Sequence, residues 1–251
     1  MAVAFSGGVD STFLLQIALM TLGSTKVVAL YACSDLVKDT ERRRALSWLH
    51  DLAHRCNLHY AIMDWLPLSH DTIRANSRMR CYYCKQLMLG QLQQLQDQYG
   101  MAQLADGTNA DDLLAYRPGL QAVRELEVRS PLAEAGCSKA CIRLLSRKLA
   151  LPTWNLPSAS CLATRIPADI PLSWPQLQQV ARLESVLDNL GYKGSRVRLC
   201  AEDKAVEVEL DPVYATVLDE VAHSAIKQAL NQLGIVSIFL SYAKKSRLAD
   251  D

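Results

Sequence analysis

The stretch Phe5-Ser6-Gly7-Gly8-Val9-Asp10-Ser11-Thr12 joins one apolar segment, Met1-Ala-Val-Ala-Phe5, to another that opens Phe13-Leu-Leu, through two glycines and several hydroxyl and carboxylate side chains. A strand that ends in such a loop and continues as a helix makes a cradle for an anion. The glycines let the backbone turn sharply and approach the ligand, while the first helical amides point at it and the helix dipole favours its charge. A Walker A loop needs a lysine near its end, and none stands between Ser6 and Thr12. The loop is therefore expected to hold phosphates in some other way than a kinase or GTPase does. A plain strand-to-helix turn is the alternative for Ser-Gly-Gly alone, and the full heptapeptide after a first strand argues against it.

Outward from the loop, strands and helices alternate. Residues 2–5 read as a short buried strand, 12–22 as a helix stopped by Gly23, and 27–33 as a continuous apolar strand that needs cover on both faces. Helical spacing returns over 39–56, a third strand over 58–63, a helix over 85–99 closed by Gly100, and a fourth strand over 102–105. The expected fold is α/β, a doubly wound parallel sheet, with ligand loops at 6–11, 34–39 and 106–112. Pro167, Pro171 and Pro175 then interrupt the chain. Beyond them, helix 174–190, strands 196–200 and 205–210, helix 214–233 and strand 236–240 read as a smaller α+β domain. The expected division is 1–166 for nucleotide binding and 167–251 for substrate binding or oligomerisation.

The 251 residues, half of them hydrophobic, suffice for such cores, and the formal net charge of +1 gives no global field for nucleic acid or an acidic membrane. No apolar run approaches the roughly 20 residues of a membrane span, and the apolar start has no basic leader or cleavage site. A cytoplasmic protein without a membrane partner is expected.

Longer blocks carry a closer likeness. SGGVDST resembles the pyrophosphate loop of the ATP pyrophosphatase (PP-loop) superfamily, of adenine nucleotide alpha hydrolase-like fold. The run Asp106-Gly-Thr-Asn-Ala-Asp-Asp112, then Tyr116-Arg-Pro-Gly-Leu120, Arg129-Ser-Pro-Leu-Ala-Glu-Ala-Gly136, Leu151-Pro-Thr-Trp-Asn155 and Pro157-Ser-Ala-Ser-Cys-Leu-Ala-Thr-Arg-Ile-Pro167 resemble the LarE family. The likeness runs from Ala2 to about Arg198, and 239–251 departs from it. Family members usually carry a helix before the first strand, so a start upstream of Met1 is expected. The resemblance implies an ATP-dependent sulfur transferase that adenylates a carboxylate of a pyridinium mononucleotide, releases pyrophosphate and inserts sulfur, as in assembly of the nickel-pincer nucleotide cofactor.

On that resemblance Ser6, Gly7, Gly8, Val9, Asp10, Ser11 and Thr12 hold ATP, with Asp10 acting through Mg²⁺. Asp106, Asn109, Asp111 or Asp112 orient the metal or nucleotide; a polar turn with a helix cap is the alternative for each. Cys161 supplies or carries sulfur, with Arg165 holding the thiolate or the substrate phosphate. Arg196 and Arg198, alternating on a strand, share a face that suits the mononucleotide phosphate, with surface solvation the competitor. Glu184 and Glu207 resemble metal-binding acidic positions, against a solvated face for both.

Eight cysteines in a cytosolic chain point to metal ligands, reactive thiols or small core residues before disulfides. Cys33, Cys56 and Cys200 lie at strand ends or on an apolar helix face and are expected to be buried. Cys137 and Cys141 are four apart, but Ser138 reads as an N-cap, leaving Cys137 to pack on Ile142. Cys81 and Cys84 form a CxxC, which suits zinc, redox exchange or an iron-sulfur cluster, with two partly buried thiols at a helix start as the alternative. Some LarE-like proteins hold a [4Fe-4S] cluster on three such thiols, so Cys81, Cys84 and Cys161 are expected to carry one. The expected partners are a small nucleotide substrate and sulfide or another sulfur donor, and a homo-oligomer is expected. A tRNA thiolation enzyme, an amide-forming ATP pyrophosphatase and a non-catalytic nucleotide-binding or iron-sulfur module are the competing readings.

Overall fold

A computed structural model of the protein describes every residue except 158–159, 201–203, 215–219 and 243–251. Ser158 and Ala159 of the motif around Cys161, and the expected opening of the helix at 214–233, thus lie wholly or largely outside the described residues. The chain forms two compact units, Met1–Leu156 and Pro157–Asp251.

The first unit runs β1 (Ala2–Phe5), α1 (Val9–Leu22), β2 (Val28–Ser34), α2 (Asp39–Cys56), β3 (His59–Trp65), α3 (Asp71–Arg74), α4 (Arg80–Gln98), β4 (Leu104–Ala105), α5 (Ala110–Leu113), α6 (Gly119–Glu125), α7 (Pro131–Glu134) and α8 (Lys139–Lys148). Its four strands pair in parallel in the order β3-β2-β1-β4. Side chains alternate across the strands, so each strand feeds both faces. Val3, Phe5, Ala29 and Tyr31 pack with Leu14 and Leu15 of α1, Leu49 of α2 and Ile142 of α8. Ala2, Val28, Leu30 and Leu104 pack with Leu89 and Leu92 of α4 and Val123 of α6. The result is the α/β sandwich that the apolar run in β2 demands.

Several boundaries differ from the sequence reading for local reasons. Gly8 is the N-cap of α1, so the helix starts at Val9 and takes in the end of the loop. Arg80 opens α4, one turn and more before Lys85, so Cys81 and Cys84 are helical. The helices α3, α5 and α7 have four residues each, too few to show a period. Cys56, read as buried, is exposed at the last residue of α2, where Asn57 takes a left-handed conformation and turns the chain away. Cys33 and Cys200 are half-buried. Cys137 does pack on the cluster holding Ile142, and Ser138 caps α8 by accepting from the Cys141 amide at 3.2 Å.

The second unit has a 3-10 turn at Leu162–Arg165, then α9 (Trp174–Asn189), β5 (Arg196–Leu199), β6 (Ala205–Leu210), α10 (Glu220–Asn231) and β7 (Ser237–Tyr242). β5 pairs antiparallel and β7 parallel with β6. Leu183 and Leu187 of α9 and Ile226 and Leu230 of α10 close over Val197, Val206, Val208 and Leu210. Among the described residues no helix is long and apolar enough to cross a membrane.

Candidate active site

In an open parallel sheet, ligands collect beyond the carboxyl ends of the strands where their order reverses. Here that point lies between β1 and β4, which flank the reversal in the order β3-β2-β1-β4. The two loops that leave these strands touch backbone to backbone, since a Cβ on Gly107 would lie 2.9 Å from the Ser11 nitrogen. Gly7 has a left-handed φ of +74°, and a Cβ there would sit 2.3 Å from Ala45 Cβ on α2. Gly8 is unlike it, with an extended φ of −82°. The sharp turn expected of both glycines belongs to Gly7, and the missing side chain of Gly8 leaves the space over the loop open.

Starting α1 at Val9 puts the Val9, Asp10 and Ser11 amides in its first turn, where they have no partner within the helix. The hydroxyls tie the loop to itself. Ser11 Oγ accepts from the Ser6 amide at 3.1 Å and lies 3.0 Å from Ser6 Oγ. Thr12 is fully buried, and among the described residues its Oγ1 has no hydrogen-bond partner. Asp10 Oδ2 pairs with Lys139 Nζ from the first residue of α8, while Asp10 Oδ1 is buried without a partner among the described residues.

The second loop is organised by Asp106. Its carboxylate accepts from Lys85 Nζ at 2.8 Å, Thr108 Oγ1 at 2.7 Å, the Thr108 amide at 3.1 Å and Ser130 Oγ at 2.8 Å. Burial works to raise its pKa, yet the Lys85 charge and these hydrogen bonds outweigh burial and hold the carboxyl below the usual aspartate range. Asn109 and Asp112 form a capping box at the start of α5, which fits the cap alternative for those two residues. Asp111 Oδ2 accepts from the Lys139 amide at 2.7 Å, and Asp112 pairs with Arg117 at 2.7 Å.

Both loops open onto one cavity of about 510 Å³, a volume typical of small-molecule sites. Cys81, Lys85, Met88 and Leu89 line it from α4. Their i, i+4, i+7, i+8 spacing makes them one helical face, so the opening of α4 at Arg80 is what turns Cys81 toward the phosphate loop. Arg80 Nη2 donates to Cys81 Sγ at 3.5 Å, and Cys84 is half-buried one turn further on.

In the second unit Cys161 is half-buried, and its carbonyl accepts from the Thr164 amide at 2.9 Å and from Thr164 Oγ1 at 2.8 Å. Arg165 turns inward. Its Nε meets Glu184 Oε1 at 2.7 Å, and that oxygen also accepts from the Val197 amide at 3.1 Å. Glu184 is fully buried, which overturns the solvated-face alternative for it. Arg196 and Arg198 share a face, as their alternation requires, and both reach one carboxylate, Glu209, at 3.2 and 2.9 Å. Burial works to raise the Glu209 pKa, and the two guanidinium groups outweigh it and lower it. Glu207 is half-buried and accepts from Ser241 Oγ at 3.0 Å. Among the described residues neither unit gathers three His, Cys, Asp or Glu side chains around one point.

Lys85, Lys139, Ser130 and Glu209 escaped the sequence reading. Lys85 had a usable signal, its i+4 spacing from Cys81. Lys139 stands 129 residues from Asp10, and nothing local in the sequence joins them.

No protein-family model matches the chain. It is 36% identical to an uncharacterized protein of Synechocystis sp., over 84% of this chain and 76% of that relative. It is 35% identical to the pyridinium-3,5-bisthiocarboxylic acid mononucleotide synthase of Lactiplantibacillus plantarum, over 82% of this chain and 73% of the relative. It is 30% identical to an uncharacterized protein of Methanocaldococcus jannaschii, over 83% of this chain and 77% of the relative.

Proposed function

The chain belongs to the family of that synthase, the LarE family, and on this premise we propose that it is an ATP-dependent sulfur transferase acting on a carboxylate of a pyridinium mononucleotide. One observation carries the ATP part. The lysine-free loop between β1 and α1 opens, at the reversal of strand order, onto a cavity of about 510 Å³ that Cys81 also lines. That arrangement supports phosphate binding next to a thiol.

A carboxylate resists attack by sulfur because its oxygen is a poor leaving group at neutral pH. Transfer of AMP to that oxygen removes the difficulty and expels pyrophosphate. The first-turn amides of α1 and the hydroxyls of Ser6 and Ser11 then serve as fixed donors for the departing anion. Asp10 Oδ1, buried and without a partner among the described residues, fits a Mg²⁺ ion, which when bound supplies positive charge at the phosphates. Lys85 is fixed at the cavity wall by Asp106 and adds a cation there. Arg196 and Arg198 offer the mononucleotide phosphate a two-pronged cationic face.

Cys81 and Cys84 stand one turn apart at the start of α4, a spacing that fits two thiolate corners of a [4Fe-4S] cluster, with Cys161 as the third ligand. Those thiolates would hold the cluster, which would supply an iron site for sulfide. The test is anaerobic reconstitution with iron and sulfide, followed by reaction with ATP, Mg²⁺ and the pyridinium biscarboxylate mononucleotide. AMP, pyrophosphate and repeated thiocarboxylate formation are expected. ADP as the product would overturn the ATP reading. If only Cys161 is essential, and the spent protein is lighter by the mass of H₂S after one turnover, the cluster is wrong and Cys161 is a sacrificial donor.

A further inference from the structure

We propose that Thr12 and Thr153 hold ordered water behind the phosphate loop, and that Thr153 positions the loop through that water. The water site stands on the fold alone, and its effect on nucleotide binding rests on the ATP reading above.

Thr12 Oγ1 and Thr153 Oγ1 are both buried without a hydrogen-bond partner among the described residues, and their side chains belong to residues 0% and 4% exposed. The two residues line one small cavity, although 141 positions of sequence separate them. The Thr12 amide closes the start of α1 onto the Gly8 carbonyl at 3.1 Å, and the hydroxyl forgoes the carbonyl one turn back that a helical threonine can reach. Thr153 stands in the turn after α8. There the Trp154 amide donates to the Leu151 carbonyl at 3.2 Å and the Leu156 amide to the Thr153 carbonyl at 3.1 Å. Both backbones are thus fixed, and a buried hydroxyl with no partner forfeits the bonds it makes in water.

The cavity, about 40 Å³, has room for water and none for a nucleotide. Phe5 and Trp48, stacked at 5.4 Å between ring centres, form its apolar side with Ala45 and Pro152. Its polar side consists of the two threonines, the Gly7 backbone and Arg44, whose positive charge tells against a metal ion as occupant. A buried water makes about three hydrogen bonds, as donor and as acceptor, which two hydroxyls and a peptide group can supply. Gly7 carries the left-handed turn of the loop, pressed against Ala45 of α2. Water behind that turn ties it to residues 151–156 and so fixes where the amides at the start of α1 point.

Urea unfolding tests the site through the sign of one shift. Thr153→Val keeps the branched outline and removes the hydroxyl. If that hydroxyl is dry, the change deletes an unsatisfied polar group and raises the urea midpoint; if it holds water, the midpoint falls, and Thr153→Ser stays close to wild type. In a cycle with Thr12→Val, the double variant is expected to lose clearly less than the two single losses added together, because the shared water is lost only once. A high-resolution crystal structure is expected to show solvent density within about 3.2 Å of both hydroxyl oxygens. A raised midpoint in Thr153→Val, additive losses or missing density each overturn the water site. For the positioning role, Thr153→Val is expected to raise the KM for ATP about three- to tenfold and leave that for the acceptor within about twofold, with Thr153→Ser restoring the first. A wild-type ATP KM in Thr153→Val protein that has lost the water overturns the positioning role. ADP as the product of the wild-type protein would instead overturn the ATP reading and the positioning role with it, while unfolding and diffraction would still decide the water site.

Discussion

Two cation-carboxylate pairs, one in each unit, share their chemistry and differ in everything around it. Lys139 pairs with Asp10, which lines the cavity, and the pair is partly wet, with one carboxylate oxygen unused among the described residues. Arg165 and Glu184 meet in the interior of the second unit, 5% and 0% exposed, and Glu184 also accepts from a strand amide. The first pair keeps contact with water and has spare bonding capacity, as a binding site requires. The second is expensive to break, because either partner alone is a buried charge. Motif reading assigned ligand roles to Asp10, Arg165 and Glu184 alike; their surroundings set the first apart from the other two.

The largest effect tests the closed pair. Glu184→Ala leaves the buried Arg165 guanidinium without its carboxylate, with only neutral acceptors such as Ser160 Oγ and Thr164 Oγ1, and removes the acceptor for the Val197 amide. It is expected to destabilise the second unit by about 3 to 5 kcal/mol in urea unfolding. A loss under about 1 kcal/mol would show that Arg165 escapes to water easily, and the contrast between the two pairs would collapse. Asp10→Asn tests the open pair from the other side. Acceptor-dependent pyrophosphate release is expected to fall at least about a hundredfold, while stability changes by less than about 1 kcal/mol. A stability loss as large as that of Glu184→Ala would make Asp10 a structural residue.

Arg196 and Arg198 are as open to water as the Lys139-Asp10 pair, but they share one carboxylate, so Glu209 must yield some of their hydrogen bonds before a phosphate can gain them. Replacing both with Ala is expected to raise the acceptor KM about tenfold and leave that of ATP within about twofold. An unchanged acceptor KM would return the two arginines to a purely structural role with Glu209.

The legible parts of the molecule were those whose cause is local. Alternation and apolar runs gave the parallel sheet and the helix-strand-strand-helix-strand order of the second unit, because burial on one or two faces writes itself into runs of consecutive residues. The phosphate loop was legible for the same reason. Lys139 was not, since its meaning comes from Asp10 and Asp111, brought together only by the fold. Glu209 escaped too. It lies on β6, and only the antiparallel register opposite Arg196 shows that it faces the arginines. The opening of α4 was missed because no capping side chain marks it: Met79 occupies the N-cap position and makes no side-chain cap hydrogen bond. With that boundary missed, the i+4 spacing of Cys81 and Lys85 went unused.

The smallest effect concerns Asp106, the carboxylate that is buried like Glu184 yet stands at the cavity like Asp10. Its folded pKa is depressed below the ordinary aspartate value of 3.8, because Lys85 and three hydroxyl or amide donors outweigh burial. A depressed carboxylate contributes stability that is fully present above its unfolded pKa and disappears as pH falls through the folded one. The stability gap between wild type and Asp106→Asn should therefore stay flat from pH 7 down to about 5. It should begin to close only as the pH falls through about 3.8. Urea midpoints of the two proteins across that range measure it. A gap that closed between pH 7 and 5 would mean that burial wins over Lys85, leaving Asp106 protonated near neutrality, and Lys85 would then be free to meet a phosphate.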